Sequence, residues 1–165
     1  MARNNAKGFT LVEVILMIIV IAVLAVVVSI AVNDYQAIKL GNAASRLASD
    51  IRYAQQLALT KQVNHGVFFI PPTFYRVFEN DDTNDPTRNP SGGGNYEIDL
   101  SAGEFQGVTL STTLPSATVQ FTSAGRPLDG ADADLAAGAN TITLSGSGVA
   151  DRTVTIEPVT GRVSY

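Results

Sequence analysis

The sequence predicts an α+β fold: a long N-terminal helix, first transmembrane and then amphipathic, packed on a C-terminal globule of antiparallel β-sheet. Three observations carry this expectation. Of the 24 residues Phe9 to Val32, 21 are apolar, and a helix of about 20 apolar residues crosses a bilayer core. From Leu40 to Ala58 the apolar positions recur at helical spacing. From Gly66 onward the apolar period drops to two, in short runs divided by Gly- and Pro-rich turns. These changes divide the chain of 165 residues into 1–8, a short basic leader; 9–32, the apolar helix; 33–61, its amphipathic continuation; and 62–165, a β-rich globular domain.

The leader, MARNNAKG, carries Arg3 and Lys7 and no acid. The positive-inside rule then places the N-terminus in the cytoplasm and the globule on the far side of the inner membrane. A cleaved secretory signal would have this charge pattern, but its apolar core runs to only about 7–15 residues. A plain signal anchor fits the length. Neither explains Glu13, a carboxylate inside the apolar run. At the membrane centre such a group costs about 2.5–3.5 kcal/mol, less near an interface, and intramembrane acids usually have a partner. Cleavage after Gly8 would create one, an α-amine on Phe9.

The second half of the helix presents Leu40, Ala44, Leu47, Ile51, Ala54 and Ala58 as one stripe. Lys39, Asn42, Arg46, Asp50 and Gln56 are read as the opposite, polar face. Gly41 costs up to about 1 kcal/mol in a helix interior. Asn64-His65-Gly66 is read as the stop. The stripe is too short and too rich in Ala for a homotypic coiled coil, so it is expected to lie on a sheet.

In the remainder, strands are expected at 67–70, 74–79, 96–100, 108–110, 117–122, 141–144, 152–157 and 162–165, forming two small sheets. Residues 80–95, NDDTNDPTRNPSGGGN, are read as a mobile polar loop.

Gly8-Phe9-Thr10-Leu11-Val12-Glu13, between a basic leader and an apolar helix, resembles the class III signal of type IV pilins and pseudopilins. The resemblance implies the pilin fold and cutting between Gly8 and Phe9 by a prepilin peptidase. It also implies N-methylation of Phe9, and pairing of Glu13 with that amine on an adjacent subunit. The chain departs from many pilins in having no proline between Phe9 and Lys61. A second resemblance covers most of the chain. Val119 to Arg126, with Gly125-Arg126, is similar to a turn of the GspH/FimT family of minor pseudopilins and minor pilins. Thr153 to Tyr165, with Gly161-Arg162, is similar to that family's closing hairpin, and Ser45 to Ala58, with Arg52 and Ala54, to its helix end. Any β-hairpin can also place Gly-Arg at a turn, because glycine tolerates positive φ.

The implied function is that of a minor pilin or pseudopilin subunit of a type IV pilus or a type II secretion pseudopilus. Its implied partners are other such subunits, the prepilin peptidase, the inner-membrane assembly platform, and membrane lipid before assembly. The alternatives are a major pilin, or a membrane-anchored DNA-binding minor pilin that serves DNA uptake. DNA is disfavoured by charge. Residues 33–165 hold 9 basic and 14 acidic side chains, a net of −5, with the basic ones scattered, whereas phosphate binding wants clustered cations.

No enzyme is indicated. The chain has no cysteine and one histidine, His65, which is read as a turn residue, and it lacks the nucleophile-elbow, Walker A and zincin patterns. No cofactor or metal is assigned. Asp81-Asp82-Thr83-Asn84-Asp85 and the cluster Asp129, Asp132 and Asp134 could each supply calcium ligands, but the first lacks the Gly and Glu of an EF-hand loop.

Overall fold

The computed structural model describes residues 9–80, 83–138 and 140–165, the side chains of 26–34 excepted. The chain forms two compact units, Met1–Tyr35 and Gln36–Tyr165. One helix, α1, runs Leu11–Lys61 and passes from the first unit into the second.

In the first unit the helix begins on a cap. The backbone N–H of Glu13 donates to Thr10 Oγ1 at 3.2 Å. Thr10-Leu11-Val12-Glu13 is thus a capping-box sequence with its first bond formed. From Phe9 to Leu24 every large apolar side chain is 45–75% exposed. Among the described residues no helix is long and apolar enough to cross a membrane. The expected transmembrane segment 9–32 continues into residues whose side chains lie outside the described ones.

The second unit has the expected sheets. β1 (His65–Ile70), β2 (Phe74–Glu79), β3 (Glu97–Asp99), β5 (Thr118–Phe121) and β6 (Pro127–Leu128) form one, in the order β3-β2-β1-β5-β6. β4 (Thr109–Thr112), β7 (Thr141–Ser145), β8 (Arg152–Ile156) and β9 (Val163–Ser164) form the other, in the order β4-β7-β8-β9. Every pairing is antiparallel. Each expected strand is present with its ends within two residues of the expectation, and β6 is the one not foreseen.

The helix stripe packs as its spacing requires. Leu40, Ala44, Leu47, Ile51, Ala54 and Ala58 are each exposed by 1% or less. They share one core with Val67 and Phe69 of β1, Tyr75 and Val77 of β2, and Val119 and Phe121 of β5. Ile142, Leu144, Val154 and Ile156 of the second sheet complete it. The β1–β2 turn joins the sheets at their edges, since Pro72 and Thr73 carbonyls accept from the Leu110 and Leu100 amides.

Two local expectations need correction. The helix does not end at Asn64-His65-Gly66. It ends at Lys61 because Gln62 turns left-handed at φ 59°. The Gln62 N–H closes on the Ala58 carbonyl and its side-chain amide donates to the Leu59 carbonyl. His65 and Gly66 instead open β1. The loop at 80–95 is also tied down in its described part. Phe78 bridges to Pro86, Arg88 bridges to Asn95, and Thr87 is buried.

Candidate functional site

Of the processing and assembly residues, Gly8 lies outside the described residues. Phe9 is 71% exposed. Glu13 is exposed in the first turn of α1, where a carboxylate complements the partial positive charge of the unpaired amides. A rigid, fully apolar surface with a single acid at its start is not stable in water unless something covers it.

The turn residues Gly125, Arg126, Gly161 and Arg162 converge on one helix side chain. Gly125, between β5 and β6, has φ +78°, and Gly161, between β8 and β9, has φ +67°. In both turns a threonine hydroxyl receives the arginine amide, Thr122 for Arg126 and Thr160 for Arg162, each at 3.2 Å. Gln55 Nε2 spends one N–H on the Gly125 carbonyl at 2.9 Å and the other on the Thr160 carbonyl at 3.1 Å. Arg52 Nη2 donates to the Val163 carbonyl at 2.8 Å, and its guanidinium lies 5.9 Å from the Tyr165 ring centroid. The Tyr165 hydroxyl is 3.2 Å from Ser45 Oγ. Ser45, Arg52 and Gln55 thus fasten the closing hairpin to the helix. The Arg126 guanidinium meets Asp134 at 2.9 Å in an exposed pair, and Arg162 is exposed. Sequence reasoning missed Gln55, a polar residue directly beside the buried stripe position Ala54.

Glycine is required at 161 for two reasons. A Cβ there would sit 2.8 Å from both Gln55 Nε2 and Phe121 Cε1, and the positive φ strains any L side chain. Gly161→Ala should cost about 2 kcal/mol. Denaturant unfolding of the full chain in detergent measures it, and an unchanged midpoint would show that the hairpin is not held as described.

The second feature missed is a buried acid. Asp50 was placed on the polar face, yet it is only 3% exposed. It sits three residues after Leu47 and four before Ala54, on the core side. Its Oδ2 accepts from the Tyr75 hydroxyl at 2.7 Å and its Oδ1 from the Tyr96 hydroxyl at 2.8 Å. Arg46 Nε donates to both oxygens, at 3.0 and 3.2 Å. Burial pushes the Asp50 carboxyl up from its ordinary value, and the phenols and Arg46 pull it part of the way back. Burial, reinforced by the Asp50 charge, drives Tyr75 well above its ordinary value and pushes Tyr96 up to about 12. Both phenols therefore keep their protons and donate.

His65, expected in a turn, is fully buried in β1. Its Nδ1 faces the Val63 carbonyl at 2.9 Å and its Nε2 faces Glu79 at 3.1 Å. The hydrogen bond from Lys61 at 2.7 Å, aided by charge, holds the Glu79 carboxyl below its ordinary value.

Among the described residues, no group of three or more His, Cys, Asp or Glu could hold a metal ion. Asp129 Oδ1 accepts from the Ala131 and Ala133 amides, Asp132 accepts from Gln120, and Asp134 pairs with Arg126. Asp81 and Asp82 lie outside the described residues.

The model of the family described as type II transport protein GspH matches residues 43–160. No curated protein and no solved structure matches. The matched span contains Asp50, Gln55, both sheets down to the Gly161 turn, and the Gly125 turn.

Proposed function

The chain belongs to the GspH family of type II transport proteins, and from that premise we propose that it is a minor pseudopilin or pilin subunit. It works by packing and charge pairing rather than by catalysis. In this reading it is made with the leader 1–8 and cut after Gly8 by a prepilin peptidase. It is then methylated on the Phe9 amine. The apolar segment 9–32 first rests in inner-membrane lipid, with the N-terminus cytoplasmic and the globule periplasmic. The assembly platform then transfers it into a filament, where it packs with other subunits. Glu13 pairs there with the Phe9 amine of a neighbour and fixes the axial register.

The observation that supports this most is the surface from Phe9 to Leu24, on which every large apolar side chain is exposed and one acid, Glu13, stands at the start. Covering each such side chain contributes about 1.5–3 kcal/mol. Lipid or the helices of neighbouring subunits would supply that cover, and a carboxylate within it needs a cation.

Replacing Gly8 with a bulky residue tests the processing step. The variant should remain full length in the membrane fraction, while the natural chain shows the mass of a product that begins at a methylated Phe9. Removal of the leader from the variant at the natural site would overturn the reading.

A further inference from the structure

We propose that Asp50 is a proton-operated latch on the loop that ends at Tyr96. When ionised, it holds Tyr96, and with it residues 83–96, against the helix, and when protonated it releases them. This is independent of the reading of the N-terminus.

The geometry of the cluster supports the ionised form alone. A carboxylate only accepts hydrogen bonds, and here every partner is a donor: Arg46 Nε from the helix, the Tyr75 hydroxyl from β2 and the Tyr96 hydroxyl from the residue ahead of β3. These are the titratable and charged groups that face Asp50, and the Tyr53 ring packs against Tyr96 at 5.7 Å. Adding a proton to the carboxyl sets a donor against a donor, so one partner must let go. Tyr75 is held inside β2, paired to Phe69 on one side and Ile98 on the other. Tyr96 stands at the end of the loop and is the partner free to yield.

Tyr96 is also what keeps the loop in place. Its N–H donates to the Thr87 carbonyl at 2.8 Å, and its carbonyl accepts from the Val77 N–H at 3.0 Å. The Thr87 N–H donates to the Val77 carbonyl at 2.8 Å. Both arms of the loop are thereby tied to β2 through Tyr96, and the Tyr96 hydroxyl ties that junction to the helix.

The Tyr96 hydrogen bond pulls the Asp50 carboxyl down. By linkage, the docking that this bond provides is present while Asp50 is ionised and fades as pH falls through its folded pKa. Burial raises that pKa above the ordinary carboxylate value, so release comes at milder acidity than an exposed aspartate would give. For the fold as a whole the sign is opposite. A raised carboxyl pKa contributes stability below the ordinary value and loses it as pH rises, so acid releases the loop without unfolding the sheets.

Amide hydrogen exchange of the full chain in detergent, corrected for intrinsic rates between about pH 7 and about pH 5, tests this. Exchanging a charged for a neutral acceptor should lower protection at the Thr87 and Tyr96 amides roughly tenfold. Protection at the Ile156 amide, in the second sheet, should not fall. Asp50→Asn should remove the pH dependence. Tyr96→Phe, which keeps Asp50 and the ring packing, should leave the loop weakly protected at every pH, and it serves if Asp50→Asn does not fold. Flat protection at Thr87 and Tyr96 in the natural chain would overturn the proposal, as would an equal fall at Ile156 or an undiminished titration in Tyr96→Phe.

Discussion

Gly66→Ala should destabilise the globule by about 4 kcal/mol or more, a fall of about 10 °C or more in melting temperature. The cause is close approach, and φ plays no part. A Cβ at position 66 would lie 2.5 Å from the Val119 carbonyl oxygen, 2.6 Å from Phe78 Cζ and 2.8 Å from Gln120 Cα. Two of these atoms belong to the backbone of β5, which pairs with β1 through Gly66↔Gln120. On the other side Gly66 pairs with Phe78 of β2. β1 has strands on both sides in the order β3-β2-β1-β5-β6, so it cannot shift outward to make room. Relief would have to break the β1–β5 ladder or expel the Phe78 ring, which is fully buried. Gly41→Ala is the matching control. A Cβ there meets nothing within 4 Å, and Ala is favoured over Gly in a helix by up to about 1 kcal/mol. The two substitutions should therefore move the melting temperature in opposite directions. Equal, small effects would mean that β1 and β5 are not packed as described.

The same residue shows where sequence was informative and where it was not. Long periodic signals are redundant. Six stripe positions and a run of apolar residues locate the helix even when one member is ambiguous, and two-residue alternation locates β1, β2, β5, β7 and β8. A signal carried by one residue has no such support. Gly66 was read as a helix stop because glycine next to a helix usually serves that role, while its actual reason, a neighbouring backbone, is a tertiary fact. Asp50 lay at the right phase to be buried, three residues past Leu47, but its charge outweighed its phase. Its two phenol partners are 25 and 46 residues away in sequence, so nothing local announced them. β6 is two residues long and cannot display a period. Of the candidate site, the glycine–arginine turns were legible as motifs, whereas their joint attachment to Gln55 was not, because it links residues 70 and 105 positions apart. Thr10-x-x-Glu13 was legible and was passed over, because the membrane cost of Glu13 drew attention away from its place in a capping box.

That capping box sharpens the test of Glu13, because it offers the residue a second role. If Glu13 pairs with a cation on a neighbouring chain, Glu13→Gln should cost about 3–5 kcal/mol at each subunit contact, the penalty for leaving one member of a buried pair alone. Incorporation into filaments should then fall by about a hundredfold or more. If Glu13 only supports the helix start, its loss costs about 0.3–1 kcal/mol, and glutamine, which suits the same capping position, should be nearly neutral. Thr10→Ala makes the opposite change: it removes the oxygen that accepts the Glu13 N–H and leaves the charge. The pairing role therefore predicts a large loss for Glu13→Gln and a small one for Thr10→Ala, with leader cleavage and the melting temperature of the globule unchanged in both. The readout is the ratio of filament-bound to membrane-bound chain after shearing. Normal incorporation of Glu13→Gln, or an equal defect in Thr10→Ala, would remove the case for charge pairing and leave the carboxylate as a helix cap.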